Sequence, residues 1–154
     1  MSNTLVCSSP LPPCTPEALE KLKSIEKQLL DMPQVSIETE HHLHAGVYSR
    51  TIRIPAGVAV SGVMIKCATQ LIISGHVRLT CGDKVVELKG FHVLNGTPGR
   101  KQIAYALEET FCTMLFATKA KTVEEAEEEF TDEADRLLTR KEKLLCPVEQ
   151  LPPQ

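Results

Sequence analysis

The chain has 154 residues, of which 42% are hydrophobic, so it can form one domain with a substantial core. Its net charge of −3 at pH 7 argues against a nucleic-acid partner, because nucleic-acid-binding domains usually carry a basic surface. No apolar run approaches the roughly 20 residues that a membrane-spanning helix needs, so we also expect no membrane partner.

The six cysteines show no metal-binding or redox spacing. No pair is separated by two residues, which argues against a zinc knuckle or a thioredoxin-type site. The first 15 residues lack the basic and apolar regions of a secretory signal peptide. We therefore expect free thiols in a reducing compartment and a cytoplasmic location. The cysteines are Cys7, Cys14, Cys67, Cys81, Cys112 and Cys146.

The N-terminal part of the chain predicts an arm followed by a helix. Several prolines and little apolar content predict a flexible arm over residues 1–14. Thr15 is a good helix cap and Pro16 suits the first helical position, which predicts a helix over residues 15–32. One face of this helix is apolar, and it either covers the core or pairs with a second subunit.

Residues 35–119 predict about eight short strands. Glycine-containing turns recur at short intervals, including Ala45-Gly46 and the Cys81–Lys84 hairpin, and no helical periodicity interrupts them. Ser74-Gly75 and Lys89-Gly90 are also interpreted as strand ends. Close strand spacing without intervening helices is typical of an antiparallel β-sandwich or β-barrel.

A capping box from Thr122 to Glu125 predicts a second helix over residues 121–146, followed by a tail over 147–154. Acidic residues crowd its start and basic residues its end, which suits the helix dipole. The acidic run is most simply a solvated face. The expected buried stripe comprises Val123, Ala126, Phe130, Ala134, Leu137 and Leu138.

Three local signatures in the β region resemble the small cupin-like (RmlC-type) proteins of tailed phages and prophages. This resemblance covers about residues 38–130 and implies an all-β core with flanking helices, folded as a double-stranded β-helix, or jelly roll. The signatures are Glu40-His41-His42 with Gly46–Arg50 and Ile54–Gly57, then Ile72–Gly75, and finally Pro98–Lys101 with Tyr105–Thr110.

The resemblance also implies a departure from the metal-binding members of that family. Related sequences have histidines near the positions of Ile65, Thr69 and Phe116, and this chain has none there. An aliphatic, a hydroxyl and an aromatic side chain cannot together replace three imidazoles at a metal. We therefore expect no metal cofactor inside the barrel, which argues against any metal-dependent cupin reaction.

The histidine-rich stretch before the second strand is the first candidate site. His42 and His44 are two residues apart and share a side of an extended segment, whereas His41 faces away. By the same parity, Tyr48 and Arg50 are expected beside them. This group is interpreted as a polar ligand site. Together with Glu40, the two histidines are an alternative metal site.

The loop from Thr97 to Lys101 is the second candidate site. A Pro-Gly turn followed by two cations can bind an anion through main-chain amides and side chains. Arg100 and Lys101 are therefore candidate ligand residues, and Tyr105 lies shortly after them. The complete predicted ligand-binding set is His42, His44, Tyr48, Arg50, Arg100, Lys101 and Tyr105.

These observations favour a binding protein over an enzyme, since no catalytic motif accompanies them. The leading hypothesis is a phage-type protein that binds a small polar or anionic molecule, such as a nucleotide-like signal, or a protein partner at the barrel mouth. A metalloenzyme using His42 and His44, and an assembly protein acting through its helices, are the alternatives. We expect a homodimer in the host cytoplasm, because closed dimers are the commonest oligomers.

Overall fold

A computed structural model describes residues 10–137. It shows a mainly antiparallel β-sheet, with one helix before the strands in the chain and one after them. The predicted fold class is therefore confirmed. In the described range, no helix is long and apolar enough to cross a membrane. The elements are α1 (Pro16–Leu30), β1 (Glu38–His44), β2 (Val47–Ile54), β3 (Ala59–Ser61), β4 (Thr69–Cys81), β5 (Lys84–Gly96), β6 (Ile103–Ala117), α2 (Val123–Phe130) and a 3₁₀ turn (Ala134–Arg136).

Strand β6 organises the sheet. The hydrogen-bonded order is β1-β2-β6-β4-β5, and β3 pairs with the start of β6 where β2 pairs with its end. Every pair of strands is antiparallel. Strands β1 and β5 stand at the two ends of this order, so the strand pairs of the described residues do not form a complete ring.

The strands are fewer and longer than the sequence predicts, because two glycine positions bend strands instead of ending them. Gly75 in β4 and Gly90 in β5 lie opposite each other with φ values of +146° and +89°. The β4–β6 register shifts beside Gly75. Glycine alone adopts such angles without strain, so the bent strands continue. Strand β6 likewise runs without a break through Glu108 and Glu109.

Two apolar clusters fill the inner side of the sheet. One joins Tyr48 and Phe116 to Phe130 of α2, with rings in edge and stacked contacts 5.6 to 6.2 Å apart. The other is built on β4, around Ile73 and Val77. Met114, on the central strand, packs against both clusters. The interior of the fold is thus occupied by side chains.

The N-terminal arm is partly fixed, which corrects the prediction of a flexible arm. The main-chain amide of Leu11 donates to the carbonyl of Asn95 (2.7 Å), and that of Cys14 donates to Gly99 (2.9 Å). Leu11 is buried in the β4 cluster. Proline favours extended chain, which suits strand-like pairing. Residues 1–9 of the predicted arm lie outside the described range.

Helix α1 begins as predicted, since the Thr15 hydroxyl accepts a hydrogen bond from the amide of Ala18 (3.1 Å). Its Ala18 and Leu22 are buried, so the apolar stripe covers the core of its own chain. The first interpretation of this helix is therefore confirmed, and pairing with a second subunit stays a prediction.

Helix α2 also begins as predicted, at Thr122, but it ends at Phe130 instead of continuing to 146. Thr131 is extended, with φ −150° and ψ 148°, and its hydroxyl accepts from the amide of Glu133 (3.1 Å). This local bond competes with the helical one and redirects the chain into the 3₁₀ turn. The predicted stripe residue Leu138 and the tail lie outside the described residues.

Substituting Gly75 by alanine is expected to destabilise the fold by about 2–4 kcal/mol, because a Cβ there would stand 2.7 Å from the carbonyl oxygen of Glu109. The control is Gly90→Ala, directly across the bend. A Cβ at Gly90 meets nothing within 4 Å, so only the backbone cost of about 1–2 kcal/mol remains. Urea unfolding of both variants measures the difference, and equal losses would contradict the assigned bend.

Candidate functional site

The hairpin β1–β2 does not bring the predicted ligand residues to one side. In its register His41 lies opposite Arg50 and Leu43 opposite Tyr48, whereas His42 pairs with Ser49. Residues directly opposite each other share a face of the sheet. The predicted grouping of His42 and His44 with Tyr48 and Arg50 is therefore wrong. In one continuous strand, residues an even number apart share a face. The two-residue turn at 45–46 instead places even-numbered residues of β1 opposite odd-numbered residues of β2, so these share a face.

His41, predicted to face away from the other candidate residues, is the histidine on the inner face. The Tyr48 hydroxyl and Nδ1 of His41 share a hydrogen bond of 2.7 Å, and the two rings stack. Arg50 donates to Glu127 of α2 at 3.4 Å, and both side chains are nearly buried. Burial raises the pKa of the Tyr48 phenol. These contacts fasten α2 to the hairpin.

Glu127 belongs to the acidic run that was interpreted as a solvated face, and this interpretation is wrong for Glu127, which is 2% exposed. The position lies on the same side of α2 as Ala126 and Phe130, whose side chains are buried against the sheet. A buried carboxylate is stable there because Arg50 supplies the opposite charge. Tyr48 and Arg50 thus bond to side chains of the fold and are too buried to contact a ligand.

His42 and His44 lie on the outer face, exposed. Nε2 of His42 donates a hydrogen bond of 2.7 Å to the Glu40 carboxylate. Between residues 10 and 137, no group of three or more histidine, cysteine, aspartate or glutamate side chains is arranged to hold a metal ion. The alternative metal site at Glu40, His42 and His44 is therefore not assembled.

The interior positions that the resemblance singles out do not fit a metal either. Phe116 is buried among aromatic rings and Ile65 packs against the same cluster. The Thr69 hydroxyl accepts a hydrogen bond of 2.5 Å from Arg100. Of these three side chains only Thr69 has an atom that could ligate a metal, and its hydroxyl oxygen is bonded to the Arg100 guanidinium. No chemical step can be derived from a metal held by this set.

Arg100 is buried and forms part of the core instead of an open anion site. Its guanidinium also donates to the carbonyl oxygen of Thr97 (2.7 Å), and a Cβ at Gly96 would overlap it. Burial lowers the pKa of Arg100. Burial likewise raises the pKa of the nearby Cys112 thiol to about 12, so this cysteine is not an activated nucleophile.

Lys101 is equally buried, but it faces helix α1. Its ammonium lies 2.5 Å from Oε2 of Glu26 and donates to the carbonyl oxygen of Gly62 (2.6 Å). The same carboxylate accepts from the Ser61 hydroxyl (2.5 Å) and from Arg136 (2.6 Å). We call Glu26, Ser61, Lys101 and Arg136 the charge cluster. It ties α1, β3 and the 3₁₀ turn together.

The pKa of the Glu26 carboxyl reflects two opposing effects. Burial raises it, and the hydrogen bonds from Lys101 and Ser61 together with the charges of Lys101 and Arg136 lower it. The lowering effects are larger, so the carboxylate stays ionised at neutral pH.

A groove of about 480 Å³ lies over this cluster, between the end of α1 and strand β3. Of the predicted ligand residues, Lys101 and Tyr105 line it, and the other five do not. Tyr105 is 40% exposed. The walls are mostly apolar, and the lining side chains include Leu29, Leu30, Met32, Val35, Ile37, Val58 and Val60.

The sequence gives little warning of this groove. Glu26 follows the polar pattern of a helix surface, and Arg136 falls in a segment predicted as a continuous helix. Glu26 follows Leu22 by one helical turn, so its charge lies at the edge of the apolar stripe. This position is the only local sequence signal that the Glu26 side chain is mostly buried. Its partners are 35 to 110 residues away in the chain, so only the tertiary structure brings them together.

A scan against protein-family models and a search of curated proteins return no match. Solved structures similar to the chain include a cupin-2 domain protein from Shewanella frigidimarina, at 12% identity over 61% of this chain and 91% of that one, with a TM-score of 0.42. A double-stranded β-helix protein from Klebsiella pneumoniae has 18% identity over 58% and 84%, with a TM-score of 0.46.

An RmlC-like cupin protein from Methanocaldococcus jannaschii has 16% identity over 57% of this chain and 85% of that one, with a TM-score of 0.45. At such identities, the similarity concerns the course of the backbone and does not extend to a ligand or a reaction.

Replacing Glu26 by glutamine is expected to destabilise the protein by about 2–4 kcal/mol at pH 7, because the buried ammonium of Lys101 loses its counter-charge. Since the folded pKa of Glu26 is lowered, its stabilisation is present above the unfolded pKa, near 4.3, and is lost as the pH falls through the lower folded value. The difference between wild type and variant should therefore shrink below about pH 4.

Urea unfolding from pH 7 to pH 3 measures this difference. The control is Glu20→Gln, on the exposed side of the same helix, and it should change stability by less than about 0.5 kcal/mol. A gap between wild type and Glu26→Gln that stays constant over the whole pH range would contradict the assigned ion pair.

Proposed function

We propose that this chain is a phage-type, cupin-like binding protein that holds a small amphipathic molecule in the groove beside α1. The ligand has an apolar body and one neutral polar or anionic end. The observation that carries the proposal is the groove of about 480 Å³, whose apolar walls stand over the charge cluster. No reaction is proposed.

The size and lining of the groove support a small-molecule ligand. Binding pockets for such ligands usually measure about 300–1,000 Å³ and combine apolar walls with a few placed polar groups. Here the polar side chains Glu26, Ser61, Lys101 and Arg136 are clustered by their bonds to one another, and exposed apolar side chains, Leu30, Met32 and Val35, belong to the same lining. This division favours a molecule that is itself divided into a polar and an apolar part.

The charges of the lining side chains favour an anionic or neutral polar end. Two cations, Lys101 and Arg136, line the groove beside one carboxylate, Glu26. The Arg136 side chain pairs with Glu26 and Glu133 and is still 45% exposed, so its exposed N–H groups can donate to a ligand. A cationic ligand end would meet two like charges for each opposite one.

The proposal revises the predicted ligand and its place. The expected site was the barrel mouth, but Arg50 and Arg100 are engaged inside the fold. With Arg136 as the one well-exposed cation of the lining, the groove suits a single anionic group better than the several phosphates of a nucleotide-like signal. A protein partner at this groove stays an alternative outcome.

A reducing, cytoplasmic environment, that of the host for a phage protein, also belongs to this proposal. The described cysteines, Cys14, Cys67, Cys81 and Cys112, are all free, as expected where thiols stay reduced.

The fluorescent probe 8-anilinonaphthalene-1-sulfonate has an aromatic body and one anionic group, so it should bind the groove in a one-to-one complex. Ala59→Trp fills the groove from β3 and should weaken binding at least about tenfold, a cost of about 1.4 kcal/mol. Titration by fluorescence measures this, with circular dichroism to show that the variant is folded.

The matched control is Ala68→Trp, at an exposed position outside the groove lining, and it should bind the probe like the wild type. Equal binding by the wild type and Ala59→Trp would overturn the assignment. Native mass spectrometry of the purified protein then identifies any molecule that the groove retains.

A further inference from the structure

We infer that the outer edge of strand β5 is a docking surface for an extended segment, and that its occupant is residues 6–9 of this same chain. Among the described strands, β5 pairs with β4 alone. An edge strand offers its outward N–H and C=O groups to another strand. Residues 6–9 lie outside the described range and lead directly into Leu11, which already pairs with this edge. The inference is independent of the groove and its ligand.

The bonds of Leu11 set the direction and the register of the pairing. Its amide donates to the carbonyl of Asn95 (2.7 Å) and its carbonyl accepts from the amide of Thr97 (3.2 Å), which is a parallel pairing opposite Gly96. In a parallel pair, every second residue directs both of its main-chain groups to the neighbouring strand. A continuation toward the N-terminus therefore brings residues 7 and 9 into the same bonding position as Leu11.

Strand β5 supplies the complementary groups on this edge. The two-residue loop of the β4–β5 hairpin is closed by the pair Cys81 and Lys84, and the closing pair of such a loop exchanges hydrogen bonds. The β4–β5 register is continuous from this pair, so even-numbered residues of β5 bond to β4. The odd-numbered residues Phe91, Val93 and Asn95 therefore direct their main-chain groups outward, as the Leu11 bond to Asn95 shows.

The open part of the edge has the length of this segment. At its far end, the carbonyl of Lys89 accepts a hydrogen bond from Nε2 of His92 (2.8 Å), and Gly90 bends the strand with a φ of +89°. At its near end lies Leu11. Between these limits the edge runs from Phe91 to Asn95, which in the Leu11 register lies opposite residues 6 to 10.

The prolines of the arm have the spacing that this pairing needs. Pro10 and Pro12 flank Leu11, so a main-chain N–H at either position would point away from β5. Proline lacks this N–H and is tolerated in a strand only where that side faces solvent. The two prolines thus permit the pairing with β5, and they also hinder a further strand from pairing with the arm itself.

The side chains of the segment suit the surface beside them. In the Leu11 register, Val6 lies next to Phe91 and Ser8 next to Val93, on the outer face. Phe91 is 69% exposed, the highest value for a large apolar side chain between residues 10 and 137, and Val93 is 48% exposed. Docking of the segment removes apolar surface of Phe91 from water, which is a favourable contribution to pairing.

Amide hydrogen exchange measured by NMR tests this pairing. In the full chain the amides of Val93 and Asn95 should exchange at least about tenfold more slowly than in a variant that lacks residues 2–9, because the carbonyl groups of Cys7 and Ser9 accept from them. The amide of Leu94 is directed to β4 and should exchange at the same rate in both chains. Equal rates at Val93 and Asn95 in the two chains would overturn the inference.

Two proline substitutions test the pairing in the full-length chain. Cys7→Pro removes an N–H that donates to β5, and it should speed the exchange of the Val93 amide about tenfold. The matched control is Ser8→Pro, which has the spacing of Pro10 and removes only an N–H that points away, so it should keep the wild-type protection. Equal effects of the two prolines would contradict the proposed pairing. Protection of Val93 that rises with protein concentration would assign the edge to a second copy, and it would also overturn the inference.

Discussion

The attachment of α1 to the sheet depends on one carboxylate. Glu26 accepts hydrogen bonds from Ser61, Lys101 and Arg136, which belong to three parts of the chain far apart in sequence. The buried ammonium of Lys101 tolerates its position only because Glu26 lies 2.5 Å away. The same contacts join α1 to β3 beside the buried Ala18 and Leu22, and the residues that make them line the groove. One polar cluster therefore contributes both to stability and to the candidate binding site.

Much of the fold could be predicted from local sequence signals, since these signals act over a few residues. The caps at Thr15 and Thr122 and the hairpin turn at Gly82 lie where the sequence predicts them. Gly75 and Gly90 were interpreted as turns, because the sequence shows that an unusual φ is needed but not whether the chain reverses or bends there. That choice depends on pairing with β6, which no local pattern reveals.

The candidate site was harder to predict, and the reason is geometric. Alternation tells which residues of one strand share a face, but a two-residue turn changes the correspondence between successive strands. His42 and Tyr48 have the same parity in the chain and lie on opposite faces of the sheet. Arg100 and Lys101 were expected to be free cations, and burial had to be known before their internal partners could be recognised.

The filled interior explains why the candidate surfaces of this fold lie outside it. Phe116, Tyr48 and Phe130 occupy one half of the inner side, while Arg100 and Thr69 bond to each other where a resembling protein would offer metal ligands. A close-packed interior leaves no volume for a ligand of useful size. The surface that the packing leaves available is the groove beside α1, which is lined by residues of α1, β3 and β6.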